Sequence, residues 1–123
     1  MKILKRIGII DIGSNSIRLV VFDGPKRSPL YLYNEKVFFR LGLQSFGKKA
    51  FDTATLKAVS RIINRYVAIC RNMEINKIIM FGTSALREAS NSNVLVEIIR
   101  KKTNIDVDVI SGDKEAFYAA QGI

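Results

Sequence analysis

Histidine is absent from this chain, and with it go Ser-His-Asp triads, phosphohistidine chemistry and histidine-ligated zinc. Cysteine occurs once, as Cys70, so no internal disulfide can form, which favours a reducing cytoplasm. Cys70 does not head a cysteine-phosphatase loop either, because Asn76 stands where such a loop requires an arginine. Tryptophan is missing, only two prolines occur, and no repeat, low-complexity stretch or linker interrupts the chain. Long apolar runs are lacking too. In the opening MKILKRIGIID, Asp11 ends the apolar stretch early and no small-residue cleavage site follows, so neither a signal peptide nor a membrane span is expected.

What is present reads as one globular unit. With 123 residues, 48% of them apolar and 25% charged, the chain is long enough for a real core and too apolar to be disordered. The formal net charge of +9, from 20 Lys and Arg against 11 Asp and Glu, should draw polyanions to the surface. The cations are scattered, with small concentrations at Lys2 to Arg6, at Lys48 and Lys49, and at Arg100 to Lys102, and no aromatic residues interleave them. A solvated basic surface is therefore expected over a dedicated nucleic-acid groove.

The segment DIGSNSIRLVV, from Asp11 to Val21, carries the most chemistry. IGIID and the run 17–22 read as strands, so Gly13, Ser14, Asn15 and Ser16 make the reversal between them. Backbone N–H groups in such a turn converge, the glycine admits an anion closely, and the Ser14, Asn15 and Ser16 side chains add donors. An ordinary polar hairpin turn would look the same. Asp11, at the strand's end, could hold a divalent cation or its water.

Further along, Tyr31, Tyr33, Val37 and Phe39 mark a third strand over 30–41, after a turn at Pro25 and Pro29, and a glycine-containing loop spans 41–51. From an N-cap at Asp52, the positions Leu56, Val59, Ile63, Tyr66, Val67 and Cys70 recur at helical spacing. KIIMF, over 77–81, is a short strand that runs through GTSALREAS, a turn and helical piece, to a helix over 93–102. Residues 107–110 form another strand, and Ser111 caps a last helix with Asp113 and Glu115 in its first turn. The order βββαβαβα implies a mixed α/β sheet, and in such sheets ligands collect at strand C-terminal ends. Three segments leave strand ends, at 11–16, 82–87 and 111–115. If their strands are parallel neighbours, they bring a glycine-serine turn, a hydroxyl turn with Arg87, and Glu115 to one edge. That is an inventory for phosphoryl transfer: donors and a guanidinium for the phosphate, a carboxylate for the attacking water.

DIGSNS at 11–16, the step Arg40-Leu41-Gly42, GTSALR at 82–87 and ISGDKEA at 110–116 resemble, in order, successive motifs of the Ppx/GppA family of exopolyphosphatases and guanosine pentaphosphate phosphatases. The resemblance implies the actin-like, ribonuclease H-like ATPase fold, and Mg²⁺-dependent release of terminal phosphate from inorganic polyphosphate or of the 5′ γ-phosphate from guanosine pentaphosphate. By position, Glu115 matches the catalytic glutamate. Arg87, Gly13, Ser14, Asn15 and Arg40 match phosphate-contacting positions, and Asp11 matches the acid near the metal. Lys114 and Phe117 depart from the family's pattern around that glutamate. The resemblance covers only the opening of such an enzyme, an incomplete first lobe over 1–123 whose second glycine-rich motif would follow Ile123. It implies a cytoplasmic protein with no membrane partner and no specific nucleic acid, and leaves a homo-oligomer open. A noncatalytic module that binds polyphosphate or guanosine tetraphosphate, and a nonspecific nucleic-acid binder, are the alternative readings.

Overall fold

The alternating apolar residues of the first two strands meet the apolar stripe of the long helix, and the fold is built on that contact. The computed structural model describes residues 6–23, 30–41, 50–75 and 77–120. Strands β1 (Arg6–Ile12), β2 (Ser16–Asp23) and β3 (Leu30–Phe38) form an antiparallel meander. Helix α1 (Thr53–Asn72) leads to β4 (Lys77–Gly82), helices α2 (Ser84–Glu88) and α3 (Ser92–Thr103) lead to β5 (Val107–Val109), and α4 (Gly112–Ala120) follows. The sheet order is β3-β2-β1-β4-β5, with β4 parallel to β1 and β5 parallel to β4.

Period-two alternation sends Ile10, Ile12, Ile17, Leu19 and Val21 to one buried face and leaves Ile9, Asp11, Arg18 and Val20 half-buried on the other. Val59, Ile63, Tyr66, Val67 and Cys70 of α1, with Leu95 and Ile99 of α3, close over the buried face, as the helical spacing predicts. Asp52 caps α1 as expected, its carboxylate accepting from the Thr55 amide at 2.7 Å. The buried Tyr66 hydroxyl donates to the Ile17 carbonyl at 2.8 Å, tying α1 to β2, and burial pushes its pKa up to about 12. The opposite face stays partly open, with Ile79 42% and Phe38 81% exposed.

Two boundaries differ from the sequence reading for local reasons. Strand β3 stops at Phe38 because the Phe39 amide turns to donate to the Asn15 carbonyl at 3.0 Å. The crossover between β4 and β5 holds the expected helical piece and helix, and the second of them starts one residue early, at Ser92, because Ala89 is extended and the Ser92 hydroxyl restarts the helix on the Leu86 and Ala89 carbonyls. Asn91 in that break pairs through its side chain with the backbone of Phe51, at 2.8 and 2.9 Å. The turn at Pro25 and Pro29 and most of the 41–51 loop lie outside the described residues. Among the described residues no helix is long and apolar enough to cross a membrane.

Gly82 sets how closely α2 docks on the end of β4. A Cβ there would meet Leu86 Cδ1 at 2.1 Å and Leu86 Cβ at 3.1 Å. Gly82→Ala is therefore expected to lower unfolding free energy by about 1–3 kcal/mol, as overpacking does. Urea denaturation measures it, and an unchanged midpoint would show that Leu86 moves aside without cost.

Candidate active site

Strands β1, β4 and β5 are the parallel neighbours that the sequence reading required, and they end level, with Ile12 beside Gly82 and Gly82 beside Val109. The Thr83 amide donates to the Ile12 carbonyl at 3.2 Å and the Ile110 amide to the Gly82 carbonyl at 3.0 Å, which stitches the three departing segments together. In the first, Gly13 N–H closes the reversal on the Ser16 carbonyl at 2.9 Å. A Cβ on Gly13 would lie 3.2 Å from that carbonyl and 4.0 Å from Asp11 Oδ1, so the glycine lets the reversal close tightly against the carboxylate. The Ser14 hydroxyl meets the hydroxyl of Ser84 in a short hydrogen bond across the two turns. Asn15 is exposed at the apex. Ser111 caps α4 as expected, accepting from the Lys114 amide at 3.1 Å.

Arg87 and Glu115 come together, and neither stands alone. Arg87 Nη1 donates to the Ile110 carbonyl at 2.8 Å and to Glu115 Oε2 at 3.2 Å. The guanidinium thus fastens α2 to the start of α4, while its Nε and Nη2 donors remain for a planar anion. Arg40 follows Phe39 beside the Asn15 turn and is exposed; among the described residues it makes no hydrogen bond or ion pair.

Asp11 is half-buried with Oδ1 unpartnered, and burial, helped by the nearby Glu115 charge, holds its pKa above the ordinary value. Arg18 and Lys36 pull the other way without cancelling the shift. These two cations belong to the site and escaped the motif-based reading. Arg18 sits directly across from Asp11 in the hairpin, and Lys36 directly across from Arg18 in β3. Counting back from the 13–16 turn would have paired Asp11 with Arg18 from sequence alone. Ser84 escaped as well, since nothing local in GTSALR points its hydroxyl at Ser14.

The orphaned, buried Asp11 oxygen is a hard donor of the kind that suits one cation such as Mg²⁺. Among the described residues no three His, Cys, Asp or Glu side chains gather into a metal cage. A magnesium ion here would rest on Asp11, water and the ligand's own oxygens.

The Ppx/GppA phosphatase family matches residues 20–123 of the chain. Exopolyphosphatase 1 of Mycobacterium leprae is 32% identical over 90% of the chain, which corresponds to 33% of that protein. A guanosine-5′-triphosphate,3′-diphosphate pyrophosphatase of Vibrio atlanticus is 27% identical over 93% of the chain and 23% of its own length. Among solved structures, an exopolyphosphatase from Cytophaga hutchinsonii superimposes with a TM-score of 0.86 at 34% identity, covering 92% of this chain and 36% of that one. The mixed sheet described above is that of these structures, the actin-like, ribonuclease H-like fold.

Because the folded state raises the Asp11 pKa, it holds the proton more tightly than the unfolded chain, and stability falls as pH rises from the ordinary value of 3.8 through the folded one. In EDTA at pH 7, Asp11→Asn is thus expected to be more stable than the parent chain, with the gain vanishing below pH 3.8. Urea midpoints across pH read this directly. A destabilised Asp11→Asn would mean that a partner satisfies the carboxylate.

Proposed function

This chain belongs to the Ppx/GppA phosphatase family, and from that premise we propose that it forms the phosphate-binding and water-activating wall of a hydrolase acting on linear phosphoanhydrides. The substrates of that class are inorganic polyphosphate and guanosine pentaphosphate, both acted on in water at the terminal phosphate. One observation carries the reading: three level strand ends bring hydroxyls, a guanidinium and two carboxylates, Asp11 and Glu115, to one edge.

The roles follow from the chemistry of each group. The backbone N–H and side-chain donors of Ser14 and Asn15, with Ser84 behind Ser14, receive the terminal phosphate oxygens, while Gly13, its own N–H closed on the Ser16 carbonyl, shapes the turn that presents them. Arg87 offers Nε and Nη2 to the same phosphate while Nη1 stays anchored on Ile110, and Arg40 and Arg18 add positive potential at the rim. Glu115 pairs with the Arg87 guanidinium, its Oε2 accepting from Nη1 at 3.2 Å. As water oxygen bonds to the terminal phosphorus, the bridging P–O bond breaks, its electron pair leaves with the shortened chain, and a Glu115 oxygen takes the water's proton. Mg²⁺ held by Asp11 would neutralise charge on the phosphate oxygens when bound.

The 123-residue chain matches about a third of its exopolyphosphatase relatives, so by itself it is expected to bind tripolyphosphate and to turn it over poorly. Isothermal titration of tripolyphosphate against the chain and Arg87→Ala tests the binding; equal affinity for both would remove Arg87 from the site. With the chain joined to the remaining length of such a relative, steady-state phosphate release tests the chemistry. Glu115→Gln should lose on the order of 10²–10⁴-fold in kcat with little change in KM, the usual consequence of removing a general base. Asp113→Asn, in the same helical turn, should stay near the parent rate. Turnover of Glu115→Gln no lower than that of Asp113→Asn would leave Glu115 a helix-terminus carboxylate and nothing more.

A further inference from the structure

The helical layer on the far side of the sheet carries a charge pattern that the strand-end site does not use. Helix α1 has four cations, Lys57, Arg61, Arg65 and Arg71, and no acid. All four fall on its exposed stripe, opposite Val59, Ile63 and Tyr66. Lys57, Arg61 and Arg65 follow one another at i, i+4 and i+8, about 6 Å apart along the helix axis. Like charges at that spacing repel and weaken a helix, and helices ordinarily avoid this by alternating sign. Among the described residues only Arg65 has an acidic partner, Glu35. The helix dipole accounts for cations in a last turn, so it explains Arg71 and the Arg100 to Lys102 run of α3, but it does not explain Lys57 and Arg61 in the N-terminal half of α1.

Between the two helices runs an open groove of about 470 Å³ lined by Asn64, Val67, Ala68, Arg71, Lys102 and Thr103. Arg71 spans it, donating to the Thr103 carbonyl at 2.6 Å, and Lys102 stands on the other bank. The cationic stripe of α1 thus continues into a cationic groove. The layer shows no aromatic ring to solvent: Tyr66 is the one aromatic residue in α1 and α3, and it is fully buried. Proteins that bind single-stranded nucleic acid stack its bases on exposed aromatic side chains, and nothing here offers such a platform.

We infer that the α1–α3 layer is a docking track for the chain of a long inorganic polyphosphate, a polyanion with no bases to stack, remote from the strand-end site. The choice of ligand rests on the proposed phosphohydrolase reading and narrows it towards polyphosphate. The track holds the body of a long chain by charge alone, so its grip grows with chain length and weakens with salt, while the strand-end site grips a terminal phosphate of any chain.

The test compares long-chain polyphosphate with tripolyphosphate on the 123-residue chain, by titration across a salt series. Lys57→Gln/Arg61→Gln/Lys102→Gln is set beside Lys2→Gln/Lys5→Gln/Lys77→Gln, which removes the same charge outside α1 and α3. The track triple should weaken long-chain binding on the order of tenfold and flatten its log–log salt slope by about two, with tripolyphosphate affinity unchanged; the control triple should do neither. Equal losses in the two triples would show unlocalised charge attraction and overturn the track. Single-stranded DNA of matched charge that binds as tightly, and loses as much in the track triple, would make it a nucleic-acid surface instead. Failure of the strand-end reading is separate: it appears as Arg87→Ala leaving tripolyphosphate binding intact. Circular dichroism melts confirm that both triples fold.

Discussion

Ile12, Gly82 and Val109 lie side by side where three parallel strands stop together, and the candidate site depends on that alignment. A slip of one residue in either ladder would turn side chains to the wrong face and stagger the departing turns. The register is held from both sides. On the buried face, β-branched and aliphatic residues from β1 and β2 interlock with α1, and at the strand ends the Thr83 and Ile110 amides close onto the neighbouring carbonyls. Gly82 belongs to both arrangements, since its missing side chain allows Leu86, and with it α2 and Arg87, to come in close.

The charges divide the molecule into two regions with different physics. At the strand ends, groups of both signs lie around the half-buried Asp11, whose pKa is raised first by burial and then by Glu115, with Arg18 and Lys36 opposing. On the helical layer the charges are exposed and mostly positive, with Glu97 the one acid in α1 and α3, so each interaction is weak and screened, and only their sum over a long partner amounts to much. A ligand with one reactive end and a long charged body matches that division.

The Asp11 neighbourhood also shows the tension between stability and chemistry. A carboxylate held half out of water with an oxygen unpartnered is a liability to the ligand-free fold. The same desolvation strengthens its attraction for a cation. Arg87 resolves a similar conflict differently. By anchoring one nitrogen on the Ile110 carbonyl, it gives Glu115 a partner and leaves its other two nitrogens uncommitted.

Much of this was legible in the order of residues. The short apolar runs on either side of the Gly13–Ser16 turn marked the hairpin, the spacing from Leu56 to Cys70 marked α1 and its buried side, and Asp52 and Ser111 marked two helix starts through their capping oxygens. Those features are local: each follows from a few neighbouring side chains and the backbone geometry that satisfies them. The motifs around Asp11, Arg87 and Glu115 were visible for the same reason. What lay beyond reach were contacts between segments far apart in the chain. The Ser14–Ser84 hydroxyl contact, Arg87 fastened to Ile110, and a cationic helix stripe running into a groove with Lys102 all require the sheet to be assembled first. The sequence by itself determined which faces are apolar and where strands and helices start, because these are set within a turn or two. Only the tertiary structure decided which turns share an edge and which charges meet, because that depends on strand order and register across the whole sheet.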